Sequence, residues 1–409
     1  MTAANLKITQ IERVPLVKDF GTFTDYLKER TPSLVRKGQL LTKKTLYEID
    51  QLLTSPDLEN TPQTDKIFYP HLTLFYYLVL RGGLFVKNRK LQLQETEKLA
   101  KYCQLNPTEK YFFLLETFWV DSDWRELLGK YSTLSLIPEI ESIIRNLART
   151  PPGKVLPMEK SKRTWRNSLK MYSLLHYLSL FGLLQISFDN QGYTFEERTL
   201  FFIASVTVTD FGGAFFPILS NERTLRRWNL PHIREKTGKF AISPRLGKHR
   251  KGKGHESFVK PFQRLFNDLR NTLPRNHFSG TFTFKVFLER NCWRTIVLSS
   301  EHTLEDLHDA IQDAFEFDSD HLYAFFTDGI PWSYNRILSP YDTEGPFSDK
   351  VSIGELGLLP GQRVLYIFDF GSEWHFKLEV LEKKDVPGPL SPVIRERKGK
   401  SPEQYPEWE

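Results

Sequence analysis

Over the first two thirds of the chain, apolar residues fall mostly at helical spacing. After Thr42, whose hydroxyl suits a helix N-cap, Leu46, Ile49 and Leu53 repeat along one side. Residues 71–81 are apolar on nearly every side and stop at Gly82-Gly83, which predicts a buried helix. Leu84-Phe85-Val86 and Leu91-Gln92-Leu93 flank the polar run Lys87-Asn88-Arg89-Lys90, a strand–turn–strand pattern. Another helix is expected over residues 108–118. The same order then recurs. Residues 169–181 predict an apolar helix ended by Gly182, and 183–187 a strand. A loop with Asp189-Asn190-Gln191-Gly192 follows, and 206–212 predict a returning strand that runs into a short helix. Helix, glycine, strand, polar tip and returning strand make a winged-helix-like order, present twice. The two helices that would read DNA, 71–80 and 174–181, are too apolar to lie in a groove and suit packing instead.

Beyond residue 280 the pattern changes to alternation. Residues 281–288 and 293–298 read as paired strands. Thr303, with Asp306 three positions on, opens a helix whose stripe is Leu304, Leu307, Ile311 and Phe315. A third strand is expected at 321–326, a helical turn at 351–356 and a tight turn at Pro360-Gly361. A closing hairpin over 365–380 bends at Asp369-Phe370-Gly371. This order predicts a β-grasp, ubiquitin-like core with an additional hairpin strand. Its helix would cover one sheet face and leave the other for a partner.

The fold class expected is therefore α+β, a mainly helical N-terminal half with two winged-helix-like units followed by a β-grasp domain. The expected boundaries are a lead-in at 1–30, a first unit at 31–148, a Pro/Lys-rich linker at 149–163 and a second unit at 164–240. A basic linker at 241–279, the C-terminal domain at 280–384 and a Pro-rich, charged, disordered tail at 385–409 complete the chain.

Composition narrows the function classes. Hydrophobic content of 40% and aromatic content of 14% call for packed interiors across 409 residues. Fifty-six Lys and Arg against 50 Asp and Glu give +6, a mild excess compatible with nucleic acid without demanding it. The two cysteines, Cys103 and Cys292, are far apart and lack metal-ligand spacing, which fits a reducing cytosol. Residues 1–10 lack the build of a signal peptide, and the most apolar stretch, 72–80, is too short to span a bilayer. A soluble, cytoplasmic protein is expected. No phosphate-binding loop, nucleotide fingerprint, hydrolase elbow or metalloprotease helix occurs, and no cofactor is predicted.

Four ordered motifs carry a family resemblance: Trp293-Arg294, Thr303-Leu304-Glu305-Asp306-Leu307-His308, the run 315–325, and the run 366–376. Residues 280–384 resemble the plasmid pRiA4b open-reading-frame-3 family, also labelled the insertion-element passenger TnpR family. The resemblance implies an association with mobile DNA. The family often has a second Asp after the Gly of Asp-Phe-Gly, where this chain has Ser372, and the resolvase implied by the TnpR label finds no recombinase motif here.

Three groups of candidate residues follow. Tyr366, Asp369, Phe370, Gly371, Trp374 and His375 form a candidate partner or ligand surface at the bend. The structural alternative is that Asp369 caps the turn, Gly371 supplies a positive φ and Trp374 packs on the sheet. Lys87, Arg89 and Lys90 at the wing tip, with Arg245, Lys248, Arg250, Lys251 and Lys253 in the basic linker, are candidate phosphate contacts. Asp318, Asp320 and His321, joined by Asp369 and His375, are candidate divalent-metal ligands, although their spacing fits no standard template. His308 falls near the apolar stripe of its helix and is expected to be half-buried and satisfied. The primary reading is a non-enzymatic binding or regulatory protein with an unknown protein partner and weak, non-specific nucleic-acid contact. Alternatives are a metal-dependent enzyme and a purely structural interaction module.

Overall fold

A computed structural model of the chain describes residues 15–35, 40–88, 90–128, 136–158, 165–195, 198–237, 257–270, 273 and 280–405. The architecture is α+β, with a large antiparallel sheet in the C-terminal region. Two compact units emerge: Met1–Phe85, Leu93–His232 and Pro244–Leu273 in the first, and Val86–Gln92, Ile233–Ser243 and Pro274–Glu409 in the second.

The described part of residues 16–237 is mainly helical and lies in the first unit except for 86–88, 90–92 and 233–237. It begins with α1 (Leu16–Arg30), α2 (Lys43–Asp50) and α3 (Pro70–Arg81), then a two-stranded hairpin of β1 (Phe85–Lys87) and β2 (Leu93–Glu95). There follow α4 (Glu97–Cys103), α5 (Pro107–Glu116), α6 (Trp124–Leu128), α7 (Leu136–Ala148) and β3 (Val155–Pro157). Next come α8 (Trp165–Leu180), β4 (Leu184–Phe195), β5 (Arg198–Val208), α9 (Asp210–Asn221), α10 (Leu225–Trp228) and α11 (Leu230–Thr237). Thr42 caps α2 by accepting from the Thr45 N–H, and Asn106 and Glu109 form a capping box on α5. The all-round apolar α3 is buried as expected. Residues 16–30 of the expected lead-in form a core helix, because Phe20 and Phe23 of α1 are fully buried and pack edge-on against Phe75 at 5.5 and 5.7 Å.

Two further expectations change here. The polar residues 189–192 lie inside strand β4, where register shifts against β5 absorb the Gly192 region. Part of the expected linker is strand β3, which pairs with β5, so the sheet order is β3-β5-β4. Strand pairing satisfies the linker's backbone where its sequence alone reads as loop.

The second unit contains β6 (Thr281–Glu289), β7 (Cys292–Ser299), α12 (Leu304–Phe315), β8 (Tyr323–Phe326), β9 (Arg336–Leu338), β10 (Arg363–Phe368), β11 (Trp374–Lys384) and β12 (Val393–Lys398). Its sheet runs β12-β7-β6-β11-β10-β8-β9, and every strand pairing is antiparallel. β11 stands between β6 and β10, and both run antiparallel to it. Thr303 and Asp306 close the expected capping box on α12, whose buried side meets Phe284, Ile296, Phe325, Val364, Tyr366 and Phe376.

The opposite sheet face, expected to be left for a partner, carries a second buried cluster of Ala324, Phe326, Leu338, Leu365 and Ile367. The tail is likewise not free chain. Residues 393–398 form β12 along β7, from Val393↔Val297 to Lys398↔Trp293. Composition misread this segment because its partners lie about a hundred residues away. The guanidinium of Arg294 donates to the carbonyls of Lys398 and Gly399 at 2.9 and 3.2 Å and to Ser401 Oγ at 2.8 Å.

Candidate functional site

The bend between β10 and β11 begins where Phe368 pairs with Trp374, leaving residues 369–373 outside the ladder. Asp369 is anchored through its own backbone, with its N–H donating to Leu322 O at 3.0 Å and its carbonyl accepting from Glu373 N–H at 2.6 Å. Its carboxylate turns back and accepts from the Gly371 N–H at 2.9 Å. This is the expected capping role. The left-handed positions are Asp369 (φ 53°) and Glu373 (φ 49°), whereas Gly371 has no positive φ. The Asp side chain holds the left-handed turn through its local hydrogen bond, a conformation that Asp tolerates better than most residues.

Burial by itself raises the Asp369 carboxyl pKa. Hydrogen bonds from the Ser372 side chain and from the Gly371 and Ser372 backbone, with His321 nearby, outweigh it and hold the group below its ordinary value. His321 Nε2 stands 3.9 Å from Asp369 Oδ2 and 3.8 Å from Asp320 Oδ2. Asp320 Oδ1 accepts from the Tyr405 hydroxyl at 2.9 Å. Asp318 is engaged through its backbone, which exchanges hydrogen bonds with the Gln404 side chain at 2.6 and 3.1 Å. The third strand thus lies beside the closing hairpin and brings His321 to the bend. Even so, no three His, Cys, Asp or Glu side chains among the described residues are arranged to hold a metal ion.

The aromatic candidates separate. Tyr366 is fully buried under α12 and is not a surface residue. Its hydroxyl accepts from Gln312 Nε2 and meets His308 Nδ1, both at 2.6 Å. His308 is buried rather than half-buried and stacks on Tyr323 at 3.8 Å. Trp374 packs edge-on against Phe317 at 4.9 Å, as the structural alternative expected, and its Nε1 is enclosed without a hydrogen-bond partner. His375 Nε2 lies 3.4 Å from Glu373 Oε2, an ion-pair distance without hydrogen-bond geometry. Phe370 is partly buried and meets Trp332 edge-on at 5.2 Å. Trp332 was not foreseen. It is 47% exposed and sits at φ 57°, in a loop tied by Asp328 to the Ile330 N–H, Ser333 and Asn335.

Of the phosphate candidates, Lys90 is exposed and Lys87 half-buried at the β1–β2 tip, where Asn88 Oδ1 accepts from the Lys90 and Gln92 N–H groups. Arg89, Arg245, Lys248, Arg250, Lys251 and Lys253 lie outside the described residues.

A second polar cluster, in the first unit, was missed. Asp50 is fully buried and accepts from His71 Nε2 at 3.1 Å, Asn60 Nδ2 at 3.0 Å and the Asp57 N–H at 3.2 Å. Arg198 donates to Asp57 and Glu59 at 2.9 and 3.2 Å, and its guanidinium lies over Phe68. Its visible signal was an Asp directly after Ile49 on an otherwise apolar helix side. These bonds hold the 57–60 loop against α2 and α3 and present no nucleophile.

Residues 281–404 match the family described as plasmid pRiA4b ORF-3-like protein. The match includes the tail strand, twenty residues beyond the boundary expected from the motifs. A crystal structure of a protein of unknown function from Methanosarcina mazei Go1 is 23% identical and covers 30% of this chain and 72% of its own, with a TM-score of 0.25. No curated protein matches the chain. No helix among the described residues is long and apolar enough to cross a membrane.

Proposed function

We propose that this chain is a non-enzymatic binding protein whose C-terminal region offers the bend at 369–375 to a protein partner. The observation that carries the reading is the Trp332–Phe370 pair. A half-exposed tryptophan is held in left-handed backbone beside a partly buried phenylalanine. Large aromatic anchors on a rigid support are the groups that dominate protein interfaces. The charged groups around them favour a basic segment: Asp320, Asp369 and Glu373 have histidines as their closest ionic neighbours. Lys or Arg side chains of the partner would meet these carboxylates, and Trp332 would offer an aromatic face beside Phe370.

The test uses the full chain against short peptides graded in Lys and Arg content, with Trp332→Gly and Phe370→Ala in parallel. Affinity that rises with basic content and falls in both variants is expected. Equal affinity in Trp332→Gly overturns the reading. Metal content measured after purification without chelator separates the enzymatic alternative, because a stoichiometric divalent ion would count against a purely binding role. The regulatory role at mobile DNA and the cytoplasmic setting rest on the family description and on cysteine usage. For nucleic acid, exposed Lys90 at the hairpin tip supports only backbone contact. Retention of duplex or single-stranded DNA at low salt, lost as salt rises, is the expected result.

A further inference from the structure

The tail is held in an unusual way for a sheet strand. Of β12, only Ile394 packs against the core; the other residues face solvent to a large extent. What fixes it is polar and directional. Arg294 is buried with no carboxylate among its hydrogen-bond acceptors. Its guanidinium donates to Ala314 O at 2.7 Å and Trp293 O at 3.0 Å within the body of the domain, and to the tail at Lys398, Gly399 and Ser401. The Cys292 thiol reaches Lys400 O at 3.4 Å. Gly399 turns at φ 75°, where a Cβ would stand 2.2 Å from Asn291 O. Past that turn, Gln404 and Tyr405 bond to Asp318 and Asp320. In the connector before β12 the Leu390 side chain is exposed, while the carbonyls of Val386 and Leu390 meet Thr281 Oγ1 at 3.0 Å and His302 Nε2 at 3.1 Å.

We propose that the β7 edge, centred on Arg294, is a strand-docking site that this tail fills as a removable ligand, so that the tail of a second copy can take its place. An antiparallel edge with unpaired backbone groups accepts an extended segment through main-chain hydrogen bonds. Specificity comes from the groups just described: a glycine able to turn at the Asn291 position, carbonyls converging on one guanidinium, and a terminal Gln-Tyr pair. The second copy is the occupant because its tail carries this whole set. Exchange through a connector is a low-cost route to a symmetric dimer. Covalent attachment gives the resident tail a high effective concentration, so the uncut chain holds its own strand.

The experiment introduces a protease site after Leu390 in the full chain and cuts it after folding. A fluorescent peptide covering residues 391–409 is then titrated in, with anisotropy as the readout. The cut chain is expected to release its own tail and take up the peptide, while the uncut chain takes it up at least about tenfold more weakly. In the cut chain carrying Arg294→Met, uptake is expected to fall by about tenfold or more, the effect of losing hydrogen bonds from a charged donor. Two results overturn the proposal. One is a cut tail that does not exchange under conditions where the rest of the chain stays folded. The other is loss of cooperative melting as soon as the tail is diluted away, which would make β12 an integral strand. Should Arg294→Met fail to fold, Gly399→Val keeps the guanidinium and blocks the turn: a labelled peptide carrying that change must fail to compete.

Discussion

Inside the C-terminal core, the hydroxyl of Tyr366 and Nδ1 of His308 meet at 2.6 Å. Gln312 Nε2 donates to the same hydroxyl, which leaves the phenolic proton for a neutral His308. Strand β10 and helix α12 are therefore joined by a polar chain in an otherwise apolar layer. Tyr366→Phe keeps the ring and strands two buried polar groups. A loss of about 1–3 kcal/mol is expected, read from denaturant unfolding of the full chain. Unchanged stability would show that the three side chains are not coupled.

The same burial makes the core sensitive to acid. Burial pushes the His308 pKa down from 6.5 to about 4. Below the higher value the unfolded chain takes up a proton that the folded chain refuses until the lower one. Stability present above pH 6.5 is therefore lost as pH falls toward about 4. His308→Gln is expected to flatten that slope. Unfolding free energies at neutral pH and midway between the two values provide the check.

In the first unit, Asp50 gives a sharper test. Asp50→Ala leaves His71 and Asn60 facing an empty acceptor site in the interior. The expected cost is about 3 kcal/mol, with a smaller loss for Asp50→Asn. For Asp50 itself, burial raises the pKa, but the bonds from His71 and Asn60 prevail and lower it. Its contribution is present above the ordinary carboxylate value and disappears as pH drops below it. A thermal-melt series in buffers descending below pH 3.8 should show this limb in the wild type and not in Asp50→Asn.

At the bend, Trp332→Gly removes an aromatic anchor and also relieves a left-handed backbone position, which costs a non-glycine residue about 1–2 kcal/mol. The melting temperature is expected to stay level or rise while peptide binding falls. A large fall in melting temperature would assign Trp332 to the core instead.

Gly399→Ala addresses the tail. The added methyl collides with Asn291 O, and the φ becomes unfavourable, so a local loss of about 1–3 kcal/mol is expected. Hydrogen exchange should show lowered protection confined to β12 and its β7 partner. Protection unchanged along β12 would mean that the turn at Gly399 does not hold the strand.

Much of this structure was legible locally. Thr303 and Asp306 sit three residues apart and cap the helix they announce, and the stripe Leu304, Leu307, Ile311 and Phe315 is buried as its spacing requires. The bend falls where Asp369-Phe370-Gly371 interrupts the alternation. Within it, Asp369 took the turn-forming backbone expected of Gly371, because a carboxylate that bonds its own backbone can stabilise left-handed φ. Tyr366 was misplaced for want of parity. It shares a strand face with Val364 and Phe368, and only the position of α12 says which face is inside.

Capping, helical period and strand alternation depend on residues within a few positions of each other, and the chain alone decided them. Long-range pairing settled the rest. Nothing near residues 393–398 predicts order, since their hydrogen-bond partners are Trp293 to Val297 and a guanidinium at 294. Likewise, the approach of His321 to Asp369 exists because β8 pairs with β10. Such contacts form only once distant segments share a sheet, so composition and spacing cannot contain them.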